Sequence, residues 1–398
     1  MGTVGRMKRL PELDDALQNL SEDLDRRLVV IDKTMRVVSY SIHESPADRQ
    51  RLFHMLAHSD SWPRPATTTT PHQVVALPGI GPMLFLRLLD PRRQIIGHLV
   101  LPVDESAPEE SVLGGAAAAT PHLSQLLAAR QHDDMDREAR SHHLAVQLVG
   151  NDAGAREKAA DALITERFLS SAEACCAVAL GVDPRGATPL DHEKTEQAVA
   201  RTLDFVRETS TATVVGGVLD DRVGVLVFPR PVVVPRLNRI LEDPQLMPVR
   251  AGIGPLVPLR QVHRSLDRAR LAWRASWLAP DVHDTVTTWE TVGLDGTLAR
   301  LPLEDFQPQD LPPSIRELLA AVESPVLLHT LDAYFTAGGD AQQTARTLNI
   351  HRSTLYYRLD KLRVLIDGDL SDGLLRRELH TGLRIAQLAG LVPGEWAN

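Results

Sequence analysis

The N-terminal part of the chain alternates between helical and strand-like spacing of its apolar positions. Apolar residues recur at helical spacing on both sides of two short strands that flank a polar turn, and three further strands follow. The expected elements are a helix over 10–28, strands over 28–31 and 36–40, a helix over 47–57, and strands over 73–77, 83–89 and 95–103. The pattern predicts a small domain of strands and helices over residues 1–105.

The middle of the chain changes from purely helical spacing to an alternation of strands and helices. Residues 106–168 are helix-compatible, with Leu123, Leu126 and Leu127 on one face, and they predict a helical connector. This helix either pairs with its counterpart in a second copy as a short coiled coil or packs on its own domain. From residue 169 to residue 300, strands and helices alternate, which predicts an α/β or α+β domain.

A proline-rich, acidic stretch precedes a helical C-terminus. Prolines and acidic residues cluster between Leu301 and Pro313, so we expect a linker over residues 301–323. Apolar residues then recur at helical spacing over residues 324–392, which predicts an all-α C-terminal domain. The chain as a whole is therefore predicted to be a multidomain α+β protein.

Composition narrows the class of protein. The 398 residues, 43% hydrophobic and 24% charged, are typical of a globular chain of several domains. No apolar run reaches the roughly 18 residues of a membrane span, and the N-terminus lacks an apolar signal segment, so we expect a cytoplasmic protein without membrane attachment. The net charge of −9 argues against a general nucleic-acid coat, so any DNA contact must be local.

Residue types that carry metal or nucleophilic chemistry do not form a recognisable pattern. Cys175 and Cys176 are the only cysteines, and neighbouring positions in a strand direct their side chains to opposite faces. His142 and His143 lack the spacing of a ligand pair, so we expect them to be solvated. Gly252-Ile253-Gly254 lacks the rest of a phosphate-binding loop. We therefore expect no metal, no cofactor and no enzymatic activity.

The strongest local pattern is a helix-turn-helix that begins after residue 337. Gly338 and Gly339 are suited to end one helix, and Asp340 is suited to cap the next. Asn349 stands at the turn, where a left-handed backbone is needed and asparagine tolerates it best after glycine. Ala345 is small where the two helices must approach each other closely.

The second helix of this motif has an apolar stripe and an opposite polar side. The stripe repeats at spacings of four, three and four residues and consists of Leu355, Leu359, Leu362 and Ile366. The polar side and the helix start carry donors that suit phosphates and base edges in a major groove. We predict that double-stranded DNA contacts Gln342, His351, Arg352, Ser353, Thr354, Tyr356, Tyr357, Arg358 and Lys361.

The same segment resembles a known family of regulators. Over 327–388, the run from Gly338-Gly339 through Thr344-Ala345 to His351-Arg352-Ser353-Thr354-Leu355-Tyr356-Tyr357-Arg358-Leu359 is similar to the C-terminal domain of PucR/CdaR-type transcriptional regulators. That domain is itself similar to the Fis-type DNA-binding domain. The resemblance implies a DNA-binding regulator that is not an enzyme.

Two further resemblances concern the segments before this domain. Val249-Arg250-Ala251-Gly252-Ile253-Gly254-Pro255, with the later run 265–272, resembles the GGDEF-like domain of the same family. Where diguanylate cyclases carry acidic residues on a hairpin, this chain has Gly216-Gly217-Val218-Leu219 and the turn Asp220-Asp221-Arg222. The resemblance therefore implies a catalytically degenerate GGDEF-like domain over 169–300. The order of elements in 1–105 resembles a PAS or GAF sensor, which implies a small-molecule effector.

These observations favour a PucR-type regulator that binds operator DNA as a homo-oligomer. One short recognition helix contacts few base pairs, whereas a homodimer reads two half-sites about 34 Å apart. Two alternatives remain open. One is a nucleotide-binding or nucleotide-converting enzyme whose helix-turn-helix mediates assembly, and the other is a sensor that acts on a protein partner.

Overall fold

The chain divides into two compact units, Met1–Arg140 and Ser141–Asn398. The computed structural model describes residues 11–41, 62, 65, 70–77, 80–103, 109–169, 174–183, 185, 188–210, 213–219, 222–321 and 325–392. A helix of 40 residues, Glu110–Val149, runs across the division between the two units. Each unit has its own sheet, so the fold is a mixed α/β architecture with a helical C-terminal region.

The first unit is built on an antiparallel sheet of five strands in the order β2-β1-β5-β4-β3. Its elements are α1 (Pro11–Leu24), β1 (Val29–Asp32), β2 (Val37–Tyr40), β3 (His72–Leu77), β4 (Gly81–Leu89), β5 (Ile95–Pro102) and the start of α2 (Glu110–Val149). The strand bounds expected from the sequence agree with these to within two residues. The helix expected over 47–57 lies outside the described residues.

Helices α1 and α2 cover one face of this sheet because strand alternation places an apolar row there. Leu84 and Leu86 of β4 pack in one core with Leu17 of α1 and Leu127 of α2. A Cβ on Gly97 of β5 would stand 2.3 Å from the Ile31 carbonyl oxygen of β1 and 2.8 Å from Leu127 Cδ2 of α2. A glycine is therefore needed where β5 lies between β1 and α2.

The second unit begins with an α/β domain whose sheet has the strand order β10-β9-β6-β8-β7. Its elements are α3 (Ala153–Thr165), β6 (Cys176–Gly181), α4 (Pro189–Thr209), β7 (Val215–Val218), β8 (Gly224–Phe228), α5 (Val234–Leu241), β9 (Arg250–Ile253), α6 (Val262–Leu278), β10 (Val286–Thr288) and α7 (Leu294–Leu298). From β6 to β9 the chain follows a β-α-β-β-α-β pattern, the split βαβ arrangement. Among the described strands of this sheet, β9 and β10 pair in parallel and the other neighbours pair antiparallel.

Both faces of this sheet are buried, and neighbouring residues of β6 belong to different cores. Ala177 faces α6, α3 and the end of α2, whereas Val178 faces α4 and α5. Cys175 and Cys176 follow the same alternation, so the prediction that they lie on opposite faces is confirmed. Both thiols are free, and burial raises the pKa of Cys175 to about 11 and that of Cys176 to about 12.

The edge strand β7 is covered by a histidine from the end of α2. His142 Nε2 lies 3.3 Å from the Val218 backbone N–H, from which it accepts a hydrogen bond. Gly217 makes this contact possible, since a Cβ there would lie 2.5 Å from the same ring nitrogen. His142, expected to be solvated, is therefore partly used to cap an unpaired strand edge. The expected turn residues Asp220 and Asp221 lie outside the described residues.

The remaining helices are α8 (Pro313–Ala321), α9 (Pro325–Thr336), α10 (Ala341–Thr347), α11 (Arg352–Ile366) and α12 (Gly373–Leu388). The prediction of a linker over residues 301–323 is corrected by α8. Ile315 and Leu318 of this helix are buried in the core of the C-terminal helices. The composition was misleading because proline is also favoured in the first turn of a helix, where α8 begins.

Within the described ranges, none of the helices combines the length and hydrophobicity that a membrane crossing requires. In the same ranges, His, Cys, Asp and Glu side chains do not gather in threes around a position where a metal ion could bind.

Candidate nucleic-acid interface

Two left-handed turns give the C-terminal domain its helix-turn-helix geometry. Gly338 and Gly339, with φ of 71° and 88°, end α9 and turn the chain toward α10. Asn349, with φ of 51°, turns it again between α10 and α11. The Ile350 N–H donates to the Ala345 carbonyl at 3.0 Å and closes this second turn. Both turns lie where the sequence predicts them.

Side-chain caps fix the starts of the two helices. Asp340 Oδ1 accepts hydrogen bonds from the N–H groups of Gln342 at 2.7 Å and Gln343 at 3.0 Å, and these bonds lower the pKa of the Asp340 carboxyl. His351 Nδ1 accepts from the Ser353 N–H at 3.3 Å. An imidazole that accepts at Nδ1 carries its proton on Nε2 when neutral, so His351 offers a donor at the beginning of α11.

The apolar stripe of α11 holds the helix against its neighbours. Leu355, Leu359 and Leu362 are at most 1% exposed and share a core with α8, α9, α10 and α12. Ile366, the last member of the predicted stripe, is half-buried in the same core. Ala345 of α10 is buried where α10 and α11 meet, as expected for a small residue at a close helix contact. The orientation of α11 is thereby set by packing.

The opposite side of α11 leaves its polar side chains to solvent. Tyr357 is 70% exposed and Tyr356 50% exposed, although aromatic side chains of this size usually bury much of their surface. The exposed members of the predicted set are Gln342, His351, Arg352, Ser353, Thr354, Tyr356, Tyr357 and Lys361. Those from His351 to Lys361 form a surface at the start and outer side of α11, which we call the α11 outer face, and Gln342 lies at the start of α10.

Arg358 is the one member of the predicted DNA-binding set that is less exposed than the others. Its side chain is half-buried, and Nη1 donates to Thr330 Oγ1 of α9 at 3.2 Å. Thr330 in turn donates to the Val326 carbonyl at 2.7 Å. Arg358 therefore ties α11 to α9 with one of its five N–H donors.

The charge of α11 differs from that of the chain as a whole. Its basic side chains are Arg352, Arg358, Lys361 and Arg363, and its one acidic residue is Asp360. Asp360 is bound by Arg363 at 2.6 Å, so the remaining basic groups are not neutralised within the helix. A locally positive helix in a chain of net charge −9 has the electrostatics required for a phosphate backbone.

A buried ionic cluster joins this domain to the α/β domain, and sequence reasoning missed it. Asp295 of α7 accepts from Arg384 Nε of α12 at 2.9 Å, and its other oxygen lies 2.8 Å from His283 Nε2. Arg384 Nη2 also contacts that second oxygen. Burial would raise the pKa of Asp295, but the hydrogen bonds and charges of Arg384 and His283 lower it to about 2.

Apolar contacts surround the ionic cluster. Leu388 at the end of α12 packs with Ala279, Leu298 and Leu303 in one buried group, with Ile385 at its border. The helix-turn-helix is therefore docked on the α/β domain through α12. No local sequence signal marks this docking site, because Asp295 and Arg384 are 89 positions apart.

These features define a helix-turn-helix domain packed on a mixed α/β domain. Residues 327–385 match the family described as the PucR C-terminal helix-turn-helix domain. This segment is a PucR-type helix-turn-helix domain, which confirms the resemblance found in the sequence.

Two other proteins are similar to this chain, one over a short segment and one at low sequence identity. The chain is 36% identical over 66 residues to the purine catabolism regulatory protein of Bacillus subtilis (strain 168), a match that covers 17% of this chain and 12% of that protein. The crystal structure of the regulator of polyketide synthase expression from Bifidobacterium adolescentis aligns with 63% of this chain and 98% of its own, at 17% identity and a TM-score of 0.26.

Proposed function

We propose that the protein is a DNA-binding transcriptional regulator of the PucR type that acts as a homo-oligomer under the control of a small-molecule effector. The observation that carries the proposal is a PucR-type helix-turn-helix whose second helix keeps a basic, polar face exposed. Because its target would be operator DNA, we place the protein in the cytoplasm.

In this proposal, the start of α11 enters the major groove. Arg352 then donates to a base edge, since an arginine can form two parallel bonds to guanine. Lys361 and the free N–H groups of Arg358 neutralise phosphates beside the groove. The caps at Asp340 and His351 fix the two helices before DNA binds, which reduces the ordering cost of binding.

We further propose that the first unit is a PAS/GAF-like sensor and that residues 169–300 are a GGDEF-like domain without cyclase activity. The five-stranded antiparallel sheet of the first unit supports the former, and the split βαβ arrangement supports the latter. His142 occupies the space beside Gly217, on the strand where a cyclase would carry its acidic hairpin. Purified protein incubated with GTP and a divalent metal is expected to yield no cyclic dinucleotide, and turnover above background would favour the enzymatic alternative.

The DNA-binding proposal is tested by Arg352→Ala in a gel-shift titration on the upstream region of the chain's own gene. We expect a loss of about 1 to 3 kcal/mol in specific binding and a relaxed preference at one base position. The matched control is Arg316→Ala, which removes an exposed arginine from α8, outside the α11 outer face. Unchanged affinity and preference in Arg352→Ala would show that α11 is not the reading helix.

The salt dependence of binding tests whether the partner is DNA, and light scattering tests whether the protein is a homo-oligomer. Specific binding that weakens steeply with salt indicates phosphate contacts, whereas docking to a protein partner need not show this dependence. Light scattering of the free and DNA-bound protein is expected to give a dimer or a larger homo-oligomer. A monomer bound to a single half-site would contradict the oligomeric part of the proposal.

A further inference from the structure

The α/β domain contains an open apolar cleft between α4 and α5, next to the end of β8. The cleft is open to solvent on one side and has a cavity volume of about 50 Å³. Its walls are apolar side chains from the two helices, from β8 and from the loop between β8 and α5: Phe205, Val206, Phe228, Val232, Leu237 and Ile240.

The chain that enters α5 forms one wall and has the apolar sequence Pro231-Val232-Val233-Val234-Pro235. Val232 and Val234 pack partly against the core, whereas Val233 is 52% exposed. The loop is nevertheless held in place, because Cys176 Sγ donates to the Arg230 carbonyl at 3.3 Å and the Arg230 guanidinium contacts Ser210 Oγ. The cleft is thus formed in advance and keeps apolar surface open to solvent.

Positive charge borders the apolar walls. The side chains of Arg230 and Arg236 both line the cleft, and no Asp or Glu is among the described residues that line it. Within the described part of the chain, neither arginine is ion-paired. The N-terminus of α5 lies at the same border, has no side-chain cap and has no acidic residue in its first turn. A negative group held here would therefore meet two guanidinium groups and the positive end of a helix dipole.

We propose that this cleft binds a small carboxylic acid with a compact apolar body. The body lies against Phe205, Val206 and Ile240, and the carboxylate accepts hydrogen bonds from Arg236 and Arg230 at the border. An uncharged molecule of the same shape gains the apolar contacts and loses the charged ones. That such a ligand acts as an effector rests on the proposed regulatory function, whereas the binding itself does not.

The position of the cleft connects it physically to the DNA-reading domain. Leu237 and Leu241 of α5 pack with Val286 of β10 in one core. The chain continues from β10 into α7, where Asp295 binds Arg384 of α12. If α5 has two positions, a ligand in the cleft can shift the equilibrium between them only by its difference in affinity for the two. Such a shift would reach α12 through β10 and α7.

The proposal is tested by calorimetric titration of the full chain with benzoate as the probe and benzyl alcohol as its uncharged counterpart. We expect saturable benzoate binding and a weaker response to the alcohol. In Arg236→Gln the Kd for benzoate is expected to rise about tenfold, as for the loss of one charge-assisted hydrogen bond. The matched control is Arg239→Gln, which removes an exposed arginine of the same helix that does not line the cleft and should change the Kd by less than about twofold.

A second variant, Ile240→Trp, fills the cleft and is expected to remove benzoate binding while circular dichroism shows the native content of helix and strand. Absence of benzoate binding in the wild type, or equal Kd values in the two arginine variants, would overturn the proposal. Tight binding of the alcohol in the same cleft would show an apolar site without anion selectivity and would also overturn it. Gel-shift titration of the same samples separates the two proposals, since DNA binding is expected to persist if only the cleft assignment fails.

Discussion

The two long helices of the C-terminal domain use their polar residues in opposite ways. On α11, Arg352 and Tyr357 are exposed and bind no other side chain of the described chain through their polar ends. On α12, Arg384 is turned inward, where it binds a buried carboxylate of the α/β domain. Both helices also have an apolar stripe in the same core, so the helical pattern alone does not distinguish them.

The difference separates a binding surface from a docking surface. Buried charges are tolerated in proteins when they are paired and hydrogen-bonded, and Arg384 satisfies this condition within the chain itself. Among the described residues, Arg352 and Lys361 of the α11 outer face form no ion pair, and their exposure leaves them available to an external partner. The helix that reads DNA in our proposal is therefore the one whose polar residues contribute least to the fold.

The largest expected effect comes from the apolar contacts that hold α12. Ile315 of α8 is fully buried, and a Cβ on Gly382 of α12 would lie 2.6 Å from Ile315 Cγ1. Ile315→Ala is expected to lower the free energy of unfolding by about 3 kcal/mol, because it leaves a cavity between α8 and α12. Urea denaturation measures this, with Arg316→Ala as an exposed control. A loss below about 1 kcal/mol would restore the interpretation of residues 301–323 as a linker.

Removal of the ionic contact should have the next largest effect. In Arg384→Ala, Asp295 keeps His283 but loses its bidentate partner in a buried position. We expect a loss of about 2 to 3 kcal/mol, reduced from the value of a fully buried pair because the Arg384 side chain is 22% exposed. Arg363→Ala breaks an exposed pair on α11 and should cost less than about 1 kcal/mol. Equal losses of unfolding free energy in Arg384→Ala and Arg363→Ala would show that the ion pairs of α12 and α11 contribute equally to stability.

The same cluster predicts a dependence on pH. The folded-state pKa of Asp295 is about 2, against an ordinary 3.8, so the folded protein binds this proton less tightly than the unfolded chain does. The contribution is therefore complete above about pH 4 and is lost as the pH falls toward 2, and it amounts to roughly 2 kcal/mol. Denaturation of the wild type and Asp295→Asn between about pH 6 and pH 2 should give curves that approach each other as the pH falls toward 2. Parallel curves would show that Asp295 is not held ionised by the cluster.

The sequence predicts the local parts of this architecture well. Asp340, Asn349 and the stripe through Leu359 each act through neighbours along the chain, so their spacing is enough to place the caps, the turn and the buried face. The docking of Arg384 on Asp295 depends on residues far apart in sequence, and a single chain contains no pattern that pairs them. The prediction of a linker over residues 301–323 was wrong for a related reason. The burial of Ile315 depends on its contact with α12, and the composition of the segment does not reveal that contact.

The smallest expected effect separates two basic residues of α11 that the sequence treats alike. Lys361 is exposed, whereas Arg358 is half-buried and donates to Thr330 of α9. Both are proposed phosphate contacts, so each alanine variant should weaken DNA binding similarly across sequences and reduce the salt slope by about 1. Arg358→Ala should in addition cost about 1 kcal/mol of unfolding free energy, because it removes a hydrogen bond between α11 and α9.

The unfolding free energy and the salt slope of DNA binding together separate the roles of Lys361 and Arg358. Lys361→Ala should leave the unfolding curve unchanged, because an exposed lysine contributes little to stability. A salt slope unchanged in Lys361→Ala would remove that residue from the interface. An unchanged salt slope in Arg358→Ala, together with a loss of stability, would show that Arg358 contributes to the fold and does not contact DNA. Lys361 would then belong to the DNA-binding surface of α11, and Arg358 to its packed side.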